Sequence, residues 1–400
     1  MNILVTGAKG FIGRNLCENL KNIRDGKDRT RSSLQIGDIY EYDVDSFPDA
    51  LAYYCRNADF VFHLAGVNRP SDSSEFRSGN VKFSEDLIGL LKAKGSRAPV
   101  VLSSSVQATL SGRFGVSEYG MSKKECEELF FDYAKETGND VFVYRFPNVV
   151  GKWSRPNYNS AVVTFCYNIA RDLPVTVNDR NTVLDVLFVE DLVNELIDHA
   201  LTGKPNRCDF EGTEPVYSGT GRYCSCPVTY KASLGLIYDT LVSFRDFDKT
   251  FTLPEMAPDS FVKKLISTYI SYFPAERAVV SPVKNEDQRG SFSELIKNPG
   301  AGQISVNVTR PGEIKGKHWH NSKWEIFTVV SGEGIIKQRM IGSDQVIETR
   351  VSGNDPKLVF MLPGYTHSIE NTSEKEDLVT LMYANEIFDG GKPDTFREDV

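Results

Sequence analysis

The chain has 400 residues, with 46 Lys and Arg against 54 Asp and Glu, a formal net charge of -8 and a pI near 5.4. This acidic balance disfavours nucleic acid or an anionic membrane as a partner, and no run approaches the roughly 18 apolar residues of a membrane helix. The length predicts two or three domains. The N-terminus reads as a strand and a glycine loop rather than a signal peptide. Seven mostly scattered cysteines indicate reduced thiols and a cytoplasmic protein. A metal knuckle at Cys208, Cys224 and Cys226 is disfavoured because no fourth ligand is obvious.

The first stretch, MNILVTGAKGFIG, predicts a strand, a glycine loop and the start of a helix. Gly7 would permit the tight turn, Gly10 would let a pyrophosphate approach the backbone, and Gly13 would let the helix pack on the strand. The helix N-terminus would then face the phosphates. We therefore predict a nucleotide-binding loop rather than a purely structural turn. Its residues are Gly7, Lys9, Gly10, Phe11, Ile12 and Gly13.

The second predicted strand, Asp38–Asp43, ends in an acid. A carboxylate there usually bonds the ribose hydroxyls of NAD, so Asp43 indicates NAD, whereas nearby basic residues leave NADP open. These basic residues are Lys9, Arg14, Arg24, Lys27, Arg29 and Arg31. The third strand, Ala58–Gly66, places Leu64, Ala65 and Gly66 at its carboxyl end, where a parallel sheet binds ligands.

A fourth strand, Ala98–Ser105, completes an alternation with helical patterns at Asn80–Lys94 and Lys123–Thr137. Strands that alternate with helices predict an α/β fold with a doubly wound parallel sheet.

Tyr119 and Lys123 share one helix face, four residues apart. An ammonium beside a phenol favours the phenolate and lowers its pKa from about 10. Tyr119 could then exchange a proton with a substrate oxygen near neutral pH, while a serine from Ser103–Ser105 holds the same oxygen. After a nucleotide loop and a strand, this pattern indicates catalysis.

Together, TGAKGFIG, HLAG, SSS, YGMSK and RFPNVVGKW make residues 1–270 resemble the extended short-chain dehydrogenases/reductases that act on nucleotide sugars. The resemblance implies a Rossmann-type NAD(P)-binding fold and hydride transfer between a nicotinamide and a sugar carbon. It implies that Tyr119 is the acid/base, that Lys123 is its partner and holds the ribose, and that Ser105, with Ser104 as its rival, hydrogen bonds the carbonyl.

The same resemblance implies contacts with the sugar nucleotide from Asn148, Asn157 and Arg180. Asn80 lies where such enzymes often have an asparagine that supports a proton relay, although a helix cap or kink explains it equally well.

Two prolines and a change of charge pattern mark residues 274–282 as a linker, which predicts one domain at residues 1–275 and a second at 276–400. Beyond the linker, short β-type runs separated by glycine and asparagine turns predict an all-β sandwich or jelly roll.

The motif HWH lies in one of these runs. Residues i and i+2 of a strand point to one face, so His318 and His320 would point to the same spot, with Trp319 opposite. With Glu325 and His367, they offer the ligand types of zinc or another divalent metal.

The spacing of Gly312, His318, His320, Glu325 and Gly332 resembles the first cupin motif, and GYTHSIEN resembles the second, except that Pro363 directly precedes Gly364. This resemblance implies a cupin jelly roll whose metal is held by His318, His320, Glu325 and His367. Histidines at a barrel rim without a metal are the alternative.

EDQRGSFSELIK and GQISVNVTRPGEIKGKHWH also resemble cupin epimerases of 4-keto-deoxysugar nucleotides, in which the histidine matching His318 is a general base and no metal is needed. His318 is therefore either a ligand or a base, and the four-residue set favours a ligand.

Epimerisation beside a ketone and reduction of that ketone are consecutive chemistry on one substrate. The domain order, with NVTRPG, KGKHWH, PGYTHSIEN and PDTF, resembles the bifunctional enzymes of UDP-N-acetyl-L-fucosamine synthesis in capsule and O-antigen pathways. This resemblance implies a 4-keto-6-deoxy UDP-N-acetyl-hexosamine substrate, epimerisation at carbon 3 in the cupin, reduction at carbon 4 by NADPH in the first domain, and a homodimer through the cupin.

Two other classes of protein remain open. One is a nucleotide-sugar dehydratase or epimerase whose cupin serves only dimerisation. The other is a non-catalytic sugar-binding protein, which is disfavoured because Tyr119, Lys123 and the serine cluster are all present.

Overall fold

The computed structural model describes residues 1–70, 72, 74–203, 210–211, 214–215 and 221–400. The chain divides into two compact units, one formed by Met1–Tyr238 and Ser267–Tyr272 and the other by Asp239–Ile266 and Phe273–Val400. The domain boundary at residue 275 stays a prediction. Cys208, from the cysteine cluster noted above, lies outside the described residues.

Six parallel strands form the central sheet of the first unit, and their bounds are β1 Ile3–Thr6, β2 Ile39–Tyr42, β3 Phe60–His63, β4 Val100–Ser105, β5 Val141–Phe146 and β10 Gly221–Cys224. Their order in the sheet is β10-β5-β4-β3-β1-β2. The chain goes from β1 to β2 on one side and then returns to β3 on the other. The carboxyl ends of β1 and β3 therefore border the crevice in which doubly wound sheets bind ligands. The predicted parallel sheet is confirmed.

Helices cover both faces of this sheet, because each buries an apolar stripe on strands that are themselves apolar on both sides. One face carries Leu16 and Leu196 in its core, from helices α1 and α7, and the other carries Leu87 and Phe130, from α4 and α5. The α-helices of the first unit are α1 Phe11–Arg24, α2 Pro48–Asn57, α3 Ser74–Phe76, α4 Phe83–Ala93, α5 Glu118–Thr137, α6 Ala161–Ile169 and α7 Val189–Thr202. The division between the units crosses α8 Leu234–Arg245 and α10 Phe261–Ile270, and α9 Phe247–Thr250 belongs to the second unit.

Shorter elements complete the region before the predicted linker. A three-stranded sheet has the order β11-β7-β6, and β8 pairs with β9. Their bounds are β6 Asn148–Val150, β7 Val183–Phe188, β8 Phe210–Glu211, β9 Glu214–Pro215 and β11 Tyr230–Ser233. Residues Arg77–Lys82 form a π-helix before α4, and two 3-10 turns lie at Val106–Thr109 and Gly112–Phe114. A further 3-10 turn, Ala275–Ala278, lies within the predicted linker.

Two antiparallel sheets form the β-rich part of the second unit, in the orders β12-β13-β14-β21-β16-β19 and β18-β17-β20-β15-β22. Their core includes Phe327, Val329, Ile336 and Ile369. The predicted all-β jelly roll is confirmed. The strands are β12 Asn285–Asp287, β13 Gly290–Asn298, β14 Gly302–Thr309, β15 Ile314–Trp319, β16 Glu325–Ser331, β17 Glu333–Met340, β18 Val346–Ser352, β19 Val359–Met361, β20 Tyr365–Asn371, β21 Leu378–Ala384 and β22 Phe396–Arg397.

Among the described residues, no helix is both long and apolar enough to cross a membrane. Five cysteines are free and buried, whereas Cys224 forms a disulfide bond, so the expectation of reduced thiols is wrong at that residue.

Candidate functional sites

A cavity of about 520 Å³ opens at the carboxyl ends of β1 and β3. Gly7 has a φ of +70°, which favours glycine, and a Cβ on Gly13 would lie 2.1 Å from the Gly7 carbonyl oxygen. Helix α1 therefore starts directly against the loop. Its N-cap, Gly10, has no side chain that would compete with an anion for the start of the helix. The predicted cofactor residues that line the cavity are Gly7, Lys9, Gly10, Phe11, Ile12, Gly13, Leu64, Gly66, Tyr119 and Lys123.

Two predicted cofactor residues, Asp43 and Ala65, support the glycine loop and are not part of the cavity lining described here. The Asp43 carboxylate accepts hydrogen bonds from the main-chain nitrogens of Lys9, at 2.7 Å, and Val44, at 2.8 Å. Ala65 packs so closely that a Cβ on Gly7 would lie 2.7 Å from its Cα.

Most of the basic residues that kept NADP open contact other side chains of the first unit. Arg24 binds Asp25, and Arg31 Nε donates to Asp198 at 2.9 Å. The Arg14 guanidinium lies 4.5 Å from the centre of the Trp153 ring. These contacts weaken the sequence-based argument for NADP.

Tyr119, Lys123 and Ser105 line the same cavity as the glycine loop. Helix α5 brings Tyr119 and Lys123 to β4, where Lys123 Nζ donates to the Ser103 carbonyl at 3.0 Å. Burial lowers the pKa of Lys123. Burial also raises the pKa of the Tyr119 hydroxyl, which a hydrogen bond with Ser105 only partly offsets. The expectation that Lys123 lowers the pKa of Tyr119 is therefore wrong, because desolvation of the phenol is the largest cause of the shift and Lys123 is not among its causes.

Glu127 was not among the predicted site residues, and it is completely buried behind this site. Its carboxylate accepts hydrogen bonds from Ser104, from Tyr223 at 3.0 Å, and from Arg145 at 2.9 and 2.7 Å. These bonds tie helix α5 to β4 and β5 next to Ser105. The signal was its spacing, because Glu127 lies four residues after Lys123 on the same helix face.

Of the predicted substrate residues, Asn148 lines the cavity, and its Nδ2 donates to the Asp185 carbonyl at 3.0 Å. Asn157 and Arg180 lie outside the cavity lining in the part of the chain that the structure describes. Their binding roles stay predictions.

Asn80 is buried. Its Oδ1 accepts a hydrogen bond from the main-chain nitrogen of Val67 at 2.7 Å, and its Nδ2 donates to the Val67 carbonyl at 3.0 Å. Its Nδ2 also donates to Ser122 Oγ at 3.0 Å. These contacts give Asn80 a structural role, and a role in a proton relay stays a prediction.

The second site lies in the cupin, where ligand atoms of His318, His320, Glu325 and His367 all lie within 4.8 Å of one another. The His318 ring centre is 4.9 Å from that of His320 and 4.6 Å from that of His367. Trp319 instead packs on Phe396, with ring centres 4.8 Å apart. The predicted arrangement of the HWH motif is confirmed.

These residues fit a divalent metal because their buried ligand atoms are unsatisfied. Within the described residues, His320 Nε2, Glu325 Oε2 and His367 Nε2 have no hydrogen-bond partner. Buried polar atoms in proteins are usually paired, since leaving them unpaired costs free energy. Glu325 Oε2 lies 3.5 Å from His320 Nε2 and 3.4 Å from His367 Nε2, so one ion could contact all three atoms.

The electrostatics of the cluster favour the protonation states that metal ligands need. Burial favours the neutral acid at Glu325, but His320, His367 and the Lys323 ammonium outweigh it and hold the pKa of Glu325 well below its ordinary value. Lys323 Nζ lies 3.0 Å from Glu325 Oε1, the oxygen turned away from the imidazoles. Burial, reinforced by His367, lowers the pKa of His318 to about 4, which favours a neutral ring.

A second cavity, of about 630 Å³, reaches this cluster at His318 and Glu325. His320 and His367 lie behind it, with exposed fractions of 2% and 0%. A ligand in this cavity would therefore meet the cluster at His318 and Glu325.

In comparisons with known proteins, a different family profile matches each of the two halves of the chain. The profile of the NAD dependent epimerase/dehydratase family matches residues 3–207, and that of the polysaccharide biosynthesis C-terminal domain matches residues 285–396. The chain belongs to the NAD dependent epimerase/dehydratase family. Over 401 residues it is 34% identical to a UDP-2-acetamido-2,6-beta-L-arabino-hexul-4-ose reductase of Pseudomonas aeruginosa, covering 100% of this chain and 99% of that protein.

Among solved structures, the capsular polysaccharide assembling protein CapF of Staphylococcus aureus matches with a TM-score of 0.86 and 42% identity, over 100% of both chains. WbmF of Bordetella bronchiseptica, solved with NAD+, shares only the fold, at 18% identity and a TM-score of 0.52 over 68% of this chain and 92% of that one. The predictions of a reductase of the short-chain type, a nicotinamide cofactor and a fused polysaccharide-biosynthesis domain are thus confirmed.

Proposed function

We propose that the chain is a bifunctional nucleotide-sugar enzyme of surface polysaccharide synthesis. Residues 276–400 would epimerise carbon 3 of a 4-keto-6-deoxy UDP-N-acetyl-hexosamine, and residues 1–275 would then reduce its carbon-4 ketone. The observation that carries the proposal is the presence in one chain of two cavities, each of which gathers a set of the predicted site residues. One joins the glycine loop to Ser105, Tyr119 and Lys123, and the other reaches the cluster of four metal-ligand side chains. The full-length relative named as a hexul-4-ose reductase supports the same substrate class.

In the reductase site, the chain's own residues orient the ketone and move a proton. Ser105 and Tyr119 would hydrogen bond the carbon-4 oxygen, and Tyr119 would donate the proton that this oxygen needs once reduced. Lys123, whose Nζ is held at the Ser103 carbonyl, would hold the cofactor ribose beside Tyr119. When bound, a nicotinamide dinucleotide would supply the hydride, and the glycine loop and the start of α1 would hold its pyrophosphate.

In the cupin, His318, His320, Glu325 and His367 would hold a divalent metal, for which we propose zinc. When bound, such an ion supplies a Lewis acid at the ketone oxygen, which makes the neighbouring carbon–hydrogen bond more acidic. The proton on carbon 3 is acidic only while the ketone exists, so epimerisation must precede reduction. We assign His318 as a ligand, because its ring lies inside the cluster, and keep the general-base role as the alternative.

For the cofactor we propose NADP(H), with NAD(H) as the alternative that Asp43 favours. Lys9, whose side chain is 66% exposed beside the loop and whose ammonium pairs with Asp45, is the cation that could meet a 2′-phosphate. The ratio of kcat/KM for NADPH and NADH would decide between them, and a preference for NADH would reject NADP(H).

We propose a cytoplasmic homodimer that pairs through the cupin. The outer face of the cupin sheet β12-β13-β14-β21-β16-β19 is apolar and exposed: Phe360 is 51% exposed and Leu381 is 42% exposed. Phe360 aligns with Ile326, which aligns with Tyr383 on the next strand. Such a continuous apolar face is typical of an interface between subunits.

One measurement tests the proposed function directly. The protein is incubated with a 4-keto-6-deoxy UDP-N-acetyl-hexosamine and NADPH in heavy water, and the product is analysed by mass spectrometry and NMR. We expect deuterium at carbon 3, inverted configuration there, and a hydroxyl at carbon 4. A reduced product without deuterium would support the alternative, a nucleotide-sugar enzyme whose cupin serves only dimerisation.

A further inference from the structure

On one wall of the cupin cavity, the strand buries its polar side chains, whereas a strand ordinarily buries its apolar ones. Strand β14 alternates polar and apolar residues, and its polar side chains are the buried ones, with exposed fractions of 7% at Gln303, 3% at Ser305 and 4% at Asn307. All three line the cavity, whereas the alternating apolar residues Ile304 and Val306 lie on the opposite face of the strand. Burying polar side chains costs free energy unless hydrogen bonds compensate, so this row is explained best by a polar ligand.

The hydrogen bonds within the row leave donors rather than acceptors for such a ligand. Gln303 Nε2 donates to Ser305 Oγ at 3.0 Å, and Asn307 Nδ2 donates to Thr309 Oγ1 at 3.0 Å. Lys315 Nζ donates a hydrogen bond to Asn307 Oδ1 at 2.9 Å, so this oxygen already has a donor. Each amide nitrogen carries a second hydrogen, and the Ser305 hydroxyl keeps its own, for which the described residues provide no acceptor. A matching ligand would therefore present an oxygen acceptor to this wall.

The row also lies at a suitable distance from the metal-ligand cluster. Gln303 aligns with Ala384 on β21, and Ala384 aligns with Glu325 on β16. Adjacent strands are separated by about 4.8 Å, so the backbones of β14 and β16 lie about 10 Å apart. The next row of the sheet places Met382, on the intervening strand β21, opposite Phe327 of β16, and both line the cavity. The apolar side chains of Ala384 and Met382 on β21 thus lie between the donor wall and the cluster.

We propose that Gln303, Ser305 and Asn307 form the subsite for the acetamido group of the nucleotide sugar. The acetamido carbonyl oxygen accepts hydrogen bonds from this wall, and the sugar ring lies over Phe327 and Met382. The acetamido group is attached to carbon 2, next to the carbon that exchanges its proton. Fixing it therefore orients that carbon–hydrogen bond relative to the cluster. This inference rests on the proposed epimerisation.

The test measures deuterium exchange at carbon 3 in heavy water without NADPH, using metal-loaded protein and two substrates. One is the 4-keto-6-deoxy UDP-N-acetyl-hexosamine and the other is the analogue with a hydroxyl at carbon 2. Ser305→Ala should lower kcat/KM for the acetamido sugar about tenfold and change that for the analogue by less than about twofold, because only the acetamido carbonyl reaches the wall. Gln303→Leu, which removes the amide donor independently, should give the same pattern.

Ser293→Ala is the matched control. Ser293 is a serine of the adjacent strand β13, is 6% exposed, and aligns with Val306 on the face away from the cavity, so its loss should leave both rates unchanged. Metal content should be equal in all variants. An equal loss with both sugars, or rates within about twofold of wild type in both Ser305→Ala and Gln303→Leu, would overturn the subsite. Absence of exchange in the wild-type protein would instead reject the proposed epimerisation, and the subsite with it.

Discussion

The main-chain carbonyl of Asp394 accepts a hydrogen bond from His320 Nδ1, across 74 residues of sequence. Because a carbonyl can only accept, Nδ1 must carry the proton, which leaves the lone pair of Nε2 free for a metal. The Asp394 carboxylate also accepts hydrogen bonds from the main-chain nitrogens of Asn321, at 2.9 Å, Ser322, at 2.8 Å, and Lys323, at 2.9 Å. The last residues of the chain thus fix the loop between two of the metal-ligand side chains.

Asp394→Ala should therefore weaken metal binding without removing a ligand. We expect a loss of affinity of about 10- to 100-fold, as is typical when a residue that orients a ligand is changed. Titration of the metal-free protein with zinc, followed by calorimetry, measures this directly. Asp394→Asn keeps one oxygen acceptor and should give an intermediate affinity, while Asp389→Ala, in the same segment but outside the His320 contact, should bind like wild type. Equal zinc affinity in wild type and Asp394→Ala would contradict this role.

His367→Ala should remove both bound metal and exchange at carbon 3. The imidazole is fully buried with its Nε2 3.4 Å from Glu325 Oε2, so the change removes one of the four ligand side chains from the cluster. Elemental analysis gives the metal content, and NADPH oxidation with the already epimerised ketone should stay near the wild-type rate. Metal retained at one ion per chain would refute the ligand assignment of His367.

Tyr119→Phe should abolish reduction but keep epimerisation. Loss of the hydroxyl removes the proton donor for the carbon-4 oxygen, and a decrease of about 10²- to 10⁴-fold in NADPH oxidation is expected. Deuterium exchange at carbon 3, followed by NMR, should continue at the wild-type rate because it depends on the cupin. Loss of both activities together would argue against two separate sites.

Glu127→Gln should destabilise the first unit. The change removes the carboxylate that binds Arg145 inside the fold, and breaking a buried ion pair from one side costs about 3–5 kcal/mol. Chemical denaturation, followed by circular dichroism, would measure the loss. Glu128→Gln, at the exposed neighbouring position of the same helix, is the control and should unfold like wild type. Equal midpoints for the two variants would show that the network behind Ser105 contributes no stability.

The stability of the first unit should fall in acid because of His63. This imidazole is buried between Thr6 Oγ1, at 2.7 Å, and Ser84 Oγ, at 3.1 Å, and burial, together with the charge of Lys123, lowers its pKa to about 3. In the unfolded chain the pKa is about 6.5. Between these two values only the unfolded chain takes the proton, so His63 lowers the free energy of unfolding by up to about 1.4 kcal/mol per pH unit as pH falls.

His63→Gln removes this titration while keeping a hydrogen-bonding side chain. We therefore expect a smaller decrease in the free energy of unfolding from pH 7 to pH 5 than in wild type, whatever the offset at pH 7. The measurement is denaturation by urea at both pH values. An equal decrease in the free energy of unfolding from pH 7 to pH 5 in the two proteins would exclude His63 as the source of the acid sensitivity.

Local patterns in the sequence predicted most of the architecture. The glycine spacing at Gly7 and Gly13 predicted the turn and the close helix contact, because a positive φ and a missing Cβ are properties of single residues. The spacing of Tyr119 and Lys123, and that of His318 and His320, predicted shared faces, because the periods of helix and strand are fixed by backbone geometry.

Contacts between distant segments decided what local patterns could not. Burial by the surrounding fold, and not the neighbouring Lys123, controls the pKa of Tyr119. Asp43 supports the glycine loop from a separate strand, and Asp394 reaches His320 only because strand β22 pairs with β15. Desolvation and contacts across tens of residues arise only when the chain has folded. The sequence by itself therefore determined the fold class and the two sets of reactive side chains, while the tertiary structure decided their surroundings and the residues that hold them in place.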